Sequence, residues 1–217
     1  MYANKDLDIT WEVINGLNEQ YKKERNRINL FAIFLVFIIF MGFATAYLNK
    51  QDINEYQILT GVDHSTGFFI VIPCYNENLL LHTLDSLWNC TRPSTPVLVL
   101  IVVNSPEDAP AATIEQNIKT LQEAGAWISA HKDDAIRFEL LYYPLLPRKF
   151  AGAGLARKIG MNTAVAFFNE VEKPEGVIVS LDADCLVESN YLRILESDFY
   201  STIQLNVPPF ILNILGR

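Results

Sequence analysis

Cysteine is scarce in this chain: Cys74, Cys90 and Cys185 are the only three in 217 residues. Three thiols cannot build a disulfide framework, and their spacing matches no zinc-binding pattern, so each is expected to be a small, partly buried side chain. Basic residues are also in the minority, 17 Lys and Arg against 25 Asp and Glu, leaving a formal charge of −8. That balance argues against nucleic acid, whose phosphates reward clustered cations. A phosphate-bearing ligand stays admissible if a metal and a few local cations offset the repulsion. No Gly-Lys-Ser/Thr closes a glycine-rich loop, so there is no Walker A motif, and the one glycine-rich stretch does not directly follow the first expected strand, as a dinucleotide fingerprint would. Beyond Asp198 the chain has no Asp or Glu at all.

Charge is missing altogether from residues 28–48, INLFAIFLVFIIFMGFATAYL. At about 1.5 Å per residue this run matches a hydrocarbon core of about 30 Å, so it reads as a candidate transmembrane helix. A signal peptide fits poorly, because the run is long, starts late and has no small-residue cleavage site after it. Residues 1–27 carry Trp11, Ile14, Leu17 and Tyr21 at helical spacing and end in Lys22, Lys23, Arg25 and Arg27, which predicts an amphipathic helix. Only Lys50 follows the apolar run closely. The positive-inside rule then places the N-terminus in the cytoplasm and the larger part across the membrane. A single-pass or monotopic membrane association is expected. Residues 49–67 read as a polar linker, and 68–217 as the folded domain.

What the domain does contain is an alternation of aliphatic runs and helical patterns. Phe68 to Ile72, bounded by Gly67 and Pro73, predicts a buried parallel strand. Cys74, Tyr75, Asn76 and Glu77 form the loop after it, and Leu80, Leu81, Leu84 and Leu87 repeat at helical spacing. His82 falls off that line and is expected at the surface. Val97 to Val103 predicts a second strand, Asn104 to Asp108 its loop, and Ile114, Ile118 and Leu121 a helix ending near Gly125. His131 reads as a plain loop residue. Ala135 to Tyr143 alternates, as a strand near an edge does. Gly152, Gly154 and Gly160 then open a helix with Ile159, Ala164, Phe167 and Phe168 on its apolar line, where small residues permit close backbone approach and Arg157 and Lys158 can meet a phosphate. Val177 to Leu181 is a fourth strand. The order implies an α/β fold, a mostly parallel open sheet with flanking helices.

That fourth strand delivers Asp182 and Asp184 into a loop that runs on to Glu188. In an open parallel sheet the ligand crevice lies outside the carboxyl ends of the strands. Two carboxylates one residue apart repel, and a shared cation relieves them; hard oxygen ligands suit magnesium or manganese. The bland alternative is a solvated turn with ordinary strand-end aspartates.

Four segments in this order, IVIPCYNEN (70–78), VVNSPED (102–108), GAGLARKIG (152–160) and VSLDADCLVESNYL (179–192), resemble glycosyltransferase family 2, with its GT-A fold. The resemblance covers about 68–195. It implies a nucleotide-diphosphate sugar as donor, with Pro73, Tyr75 and Glu77 lining the nucleotide pocket and Arg157 near the phosphates. It further implies that Asp182 faces the ribose, and that Asp184, with Asp182, holds a manganese or magnesium ion on the diphosphate. Asn104 stands at or beside a position where family members commonly carry Asp for the base. The acceptor would be a hydroxyl, on a glycan or a lipid-linked carrier. Family members supply their catalytic base from a second half of the domain; here only 33 residues follow Asp184, so a donor-binding half lacking that base is expected.

A nucleotide-using domain in a bacterium would favour the cytoplasmic side, against the charge rule, and a monotopic or re-entrant helix would remove the conflict. Other readings stay open. A phosphatase-like Asp-x-Asp site normally follows the first strand, and a nucleotidyltransferase shows a basic, glycine-rich loop there, which Cys74 to Asn78 lacks. A membrane-anchored, catalytically inactive nucleotide-binding or interaction module is the non-enzymatic alternative.

Overall fold

The computed structural model describes residues 19–20, 22–24, 27, 42–52, 56–149, 151–203 and 212–213. Strands β1 (Phe68–Cys74), β2 (Val97–Pro106), β3 (Ile136–Leu146), β4 (Val177–Ser180) and the two-residue β5 (Leu212–Asn213) form one sheet in the order β3-β2-β1-β4-β5. Every pairing is parallel. β1 is buried along its whole length. Side chains alternate across a strand, so Phe68, Ile70, Ile72 and Cys74 join one core while Phe69 and Val71 join the other.

The first face is covered by α2 (Leu80–Trp88), α3 (Ala111–Ala130) and α5 (Tyr191–Ile203), through Leu80, Leu84, Leu87, Ala124, Leu192 and Leu195. The second is covered by α4 (Ala153–Glu170), through Ala156, Ile159, Ala164, Phe167 and Phe168. Two layers of helix over near-continuous aliphatic strands make a Rossmann-like α/β arrangement. β3 lies at the edge, and its burial alternates accordingly.

The chain steps outward from β1 to β3, and α4 then carries it back to place β4 on the other side of β1. Strand order therefore reverses between β1 and β4, and such a switch point opens a crevice at the carboxyl edge. α4 lies close to the sheet at Gly160, where a Cβ would come within 2.3 Å of Val71 Cγ1. Gly152 and Gly154 have no such neighbour. Of the three glycines expected to permit close approach, one does. Gly152 instead takes a φ of 128° at the start of the helix, a conformation that side-chain-bearing residues rarely adopt.

Three further expectations change. α3 runs past Gly125 to Ala130, and its buried face is Thr113, Asn117, Thr120 and Ala124, with Ile118 exposed. His131 is no plain loop residue. Its ring stacks on Trp127 at 4.0 Å, in a cluster with Trp88 and Phe138, and its Nδ1 lies 2.7 Å from the Trp127 carbonyl oxygen. His82 is exposed, as expected.

The compact unit begins at Phe43, well before Phe68. Ala44 N–H donates to Asn169 Oδ1 at 2.7 Å, Tyr47 Oη–H to Asn162 Oδ1 at 2.7 Å, and Gln57 N–H to Thr163 Oγ1 at 3.1 Å. The end of the expected transmembrane helix, at Ala44 and Tyr47, and the expected linker, at Gln57, are thus tied to polar side chains on α4, and Val62 enters the core. Residues 28–41 of the charge-free stretch lie outside the described residues; its end forms only the four-residue α1 (Thr45–Leu48). Among the described residues no helix is long and apolar enough to cross a membrane. The described residues between 19 and 27 are helical and exposed, and Trp11, Ile14, Leu17 and Tyr21 lie outside the described set.

Candidate functional site

The carboxyl end of β1 is where most of the expected residues gather. Pro73 is buried in the strand, Tyr75 is exposed in the loop, and Asn76 takes a φ of 50°, a left-handed conformation that Asn tolerates well. Glu77 turns its carboxylate onto its own chain: Oε1 accepts from Asn78 N–H and Leu79 N–H, both at 2.8 Å. An anion there satisfies N–H groups at the start of α2, where Leu79 offers no side-chain cap. The Glu77 carbonyl in turn accepts from Thr120 Oγ1 at 2.9 Å and Gln116 Nε2 at 3.2 Å. Glu77 therefore fixes the loop against α2 and α3.

Asn104, at the end of β2, is fully buried. Its Nδ2 donates to the Cys74 carbonyl at 3.1 Å, and its Oδ1 accepts from Gly152 N–H at 3.1 Å. One amide thus joins β1, β2 and the start of α4. Its own carbonyl accepts from Asn117 Nδ2 at 2.9 Å, and Asn117 Oδ1 accepts from Asn76 N–H at 2.9 Å. Asn117 and Thr120 escaped the reading of the sequence because polar residues on a helix normally mark its solvent face. No periodic signal singles them out.

Beside this network, on the other side of β1, Arg157 reaches from α4 to the end of β4. Its Nε donates to Ser180 Oγ at 2.7 Å and its terminal nitrogen to Asp182 Oδ1 at 2.8 Å. Asp182 is thereby paired with a protein cation. Asp184 is exposed, and its Oδ1 accepts from the Cys185 thiol at 4.0 Å. Glu188 is exposed too, its backbone carbonyl accepting from Tyr191 N–H at 2.9 Å. Among the described residues no group of three or more His, Cys, Asp or Glu gathers as a metal cage. Asp184 still fits a magnesium-like ion, which is held by one or two carboxylates and completed by phosphates and water.

A cleft of about 390 Å³ opens at this edge, lined by Tyr75, Pro106, Asp108, Pro110, Arg148, Ala151 and Gly152. Arg148 and Asp108 form an ion pair at its rim, 3.0 Å apart. Neither was singled out in the sequence, where each is one charged loop residue among many. The two thiols near this edge are held toward their protonated form. Burial, then the charge of Glu77, pushes Cys74 up to about 12, and burial, then Asp184 and Asp182, raises Cys185 above its ordinary value.

No family model and no curated protein matches this chain. Among solved structures it is similar to TarS of S. aureus, at 18% identity over 63% of this chain and 20% of that one, with a TM-score of 0.37. Crystal structures of S. aureus TarS 1–349 are similar too. The complex with UDP-GlcNAc matches at 14% identity and a TM-score of 0.37, and the complex with UDP at 16% and 0.36, each over 63% of this chain and 32% of that one. The chain spans between a fifth and a third of the length of these structures.

Proposed function

We propose that the carboxyl edge of the sheet binds a nucleotide-diphosphate sugar, and that the chain is the donor-binding part of a glycosyltransferase resembling family 2, with a GT-A fold. One adjacency carries the reading: the Tyr75 cleft, the start of α4 and the Arg157–Asp182 pair with Asp184 share the edge at which strand order reverses. A loose acidic turn would need none of these neighbours.

In this reading the base and ribose occupy the cleft against the Tyr75 ring, with Asp182 toward the ribose. The diphosphate lies near the first turn of α4, whose N–H groups and dipole favour an anion, with Arg157 beside it. Asp184, with Oδ2 of Asp182, would hold a manganese or magnesium ion, which when bound stabilises negative charge on the departing diphosphate. Arg157 meanwhile keeps Asp182 oriented and partly neutralised. The acceptor hydroxyl, on a glycan or lipid-linked carrier, needs a general base within hydrogen-bond reach. The charge-free residues 28–41 would hold the site at a membrane surface, where such acceptors reside.

Isothermal titration of the full chain with UDP and with GDP, each in manganese and again in chelator, tests the reading. Manganese-dependent binding of one nucleotide is expected. Absence of binding by both under either condition overturns it. Binding without turnover of any sugar donor would favour a nucleotide-binding module that does no transfer.

A further inference from the structure

We infer that Asn104 is a positioning residue, acting with Asn117 to set the walls of the Tyr75 cleft, and that it does not read the base. The inference deepens the proposed function and rests on it where ligand affinity is concerned. Both asparagines are fully buried. Tyr75 is held from both sides: Cys74 O accepts from Asn104 Nδ2, and Asn76 N–H donates to Asn117 Oδ1. On the opposite wall, Gly152 N–H donates to Asn104 Oδ1. The link between the two asparagines, Asn117 Nδ2 to Asn104 O at 2.9 Å, closes the relay.

The chemistry requires a neutral amide at 104. One side-chain atom must donate to a carbonyl while the other accepts from an N–H, and a carboxylate has no hydrogen to donate. With both ends occupied inside the protein, the amide has its acceptor and one donor committed before any base arrives. Recognition of a base then falls to groups that face the cleft, such as Tyr75, Asp108 and Arg148.

The discriminating variant is Asn104→Asp. Ionised, the new carboxylate opposes the Cys74 carbonyl and breaks the relay; protonated, it has the shape and the donor–acceptor pattern of the amide. Its buried position, facing a carbonyl, raises its pKa, so the neutral form returns as the pH falls. Measured against wild type at the same pH, nucleotide affinity should drop about tenfold at pH 7.5, the scale of one lost buried hydrogen bond, and return to near wild type by about pH 5. Asn104→Ala should show the loss with no recovery. Wild-type affinity for Asn104→Ala, or a loss in Asn104→Asp that acid does not reverse, overturns the inference. Amide exchange in the ligand-free protein separates it from the proposed function. Asn104→Ala should reduce protection at Gly152 and Asn76 even if wild type binds neither nucleotide, and unchanged protection at both sinks the relay whatever binds.

Discussion

Arg157 donates to Asp182 Oδ1 at 2.8 Å while its Nε donates to Ser180 Oγ at 2.7 Å, so one guanidinium bridges α4 and the end of β4 through two separate nitrogens. The two aspartates of the β4 loop are consequently unequal. Asp182 is oriented and paired by the protein, whereas Asp184 stands exposed. The proposed division of labour, one toward the ribose and one toward a cation, follows from that asymmetry.

Arg157→Lys tests the bridge. A single ammonium cannot span Ser180 and Asp182 as the guanidinium fork does. Nucleotide affinity should fall about tenfold, while stability in urea changes by about 0.2–1 kcal/mol, as for a partly exposed pair. A loss of several kcal/mol in stability with unchanged affinity would show that the arginine serves the fold alone.

Asp184→Ala should leave the melting temperature within about a degree or two, because an exposed loop carboxylate contributes little to folding. Titration with manganese present and absent is the measurement. The variant should bind nucleotide equally in both, and a preserved manganese effect would contradict the role given to Asp184.

Asn117→Ala removes the partners of Asn76 N–H and Asn104 O in a buried site. Leaving two such groups unsatisfied costs about 2–3 kcal/mol, readable as a lower urea midpoint at unchanged slope. A loss under about 0.5 kcal/mol would mean that solvent replaces both bonds easily.

Gly160→Ala places a methyl group 2.3 Å from Val71 Cγ1 and 3.2 Å from Val102 Cγ2. Both valines are buried in central strands and stiff at χ1, so the expected cost is about 1–3 kcal/mol of overpacking. The same change at Gly154, where nothing lies within 4 Å, should be neutral or mildly stabilising, and equal effects at the two sites would refute the packing argument.

Glu196 gives the pH prediction. Burial raises its pKa, but N–H donation from Ser94 and Thr95, the Thr95 hydroxyl and Arg193 outweigh burial and hold it below the ordinary 4.5. A depressed folded-state value favours the folded form above the unfolded pKa and loses that contribution as the pH falls through the folded one. The stability difference between wild type and Glu196→Gln should therefore be constant above about pH 5 and shrink below 4.5, in urea titrations across that range. A difference that grows toward acid would reverse the sign.

Much of the fold was legible because strands announce themselves locally. Phe68 to Ile72, Val97 to Val103 and Val177 to Leu181 are aliphatic runs that make sense only if both faces are covered, and all three lie inside the sheet. The alternation of 135–143 marked an edge, and the edge is where it sits. Because connections between parallel strands fix which loops share the carboxyl edge, the spacing of Tyr75, Asn104, Arg157 and Asp182 along the chain was enough to gather them there. The misread residues are of another kind. His131 looked like a plain loop residue and Ile118 like part of a helix's apolar line, while Asn117 and Thr120 drew no reading at all.

Sequence alone thus determined which segments form the first four strands and at which edge the polar loops collect, since both follow from short-range hydrophobic pattern and chain order, whereas the two-residue β5 carried no such pattern. Only the tertiary structure decided which polar atoms meet. Asn104 with Gly152, Asn117 with Asn76, Arg157 with Asp182 and Glu196 with Ser94 are paired across 25 to 102 residues of chain. A hydrogen bond depends on distances of a few tenths of an ångström between elements, and that information exists only once the helices have settled on the sheet.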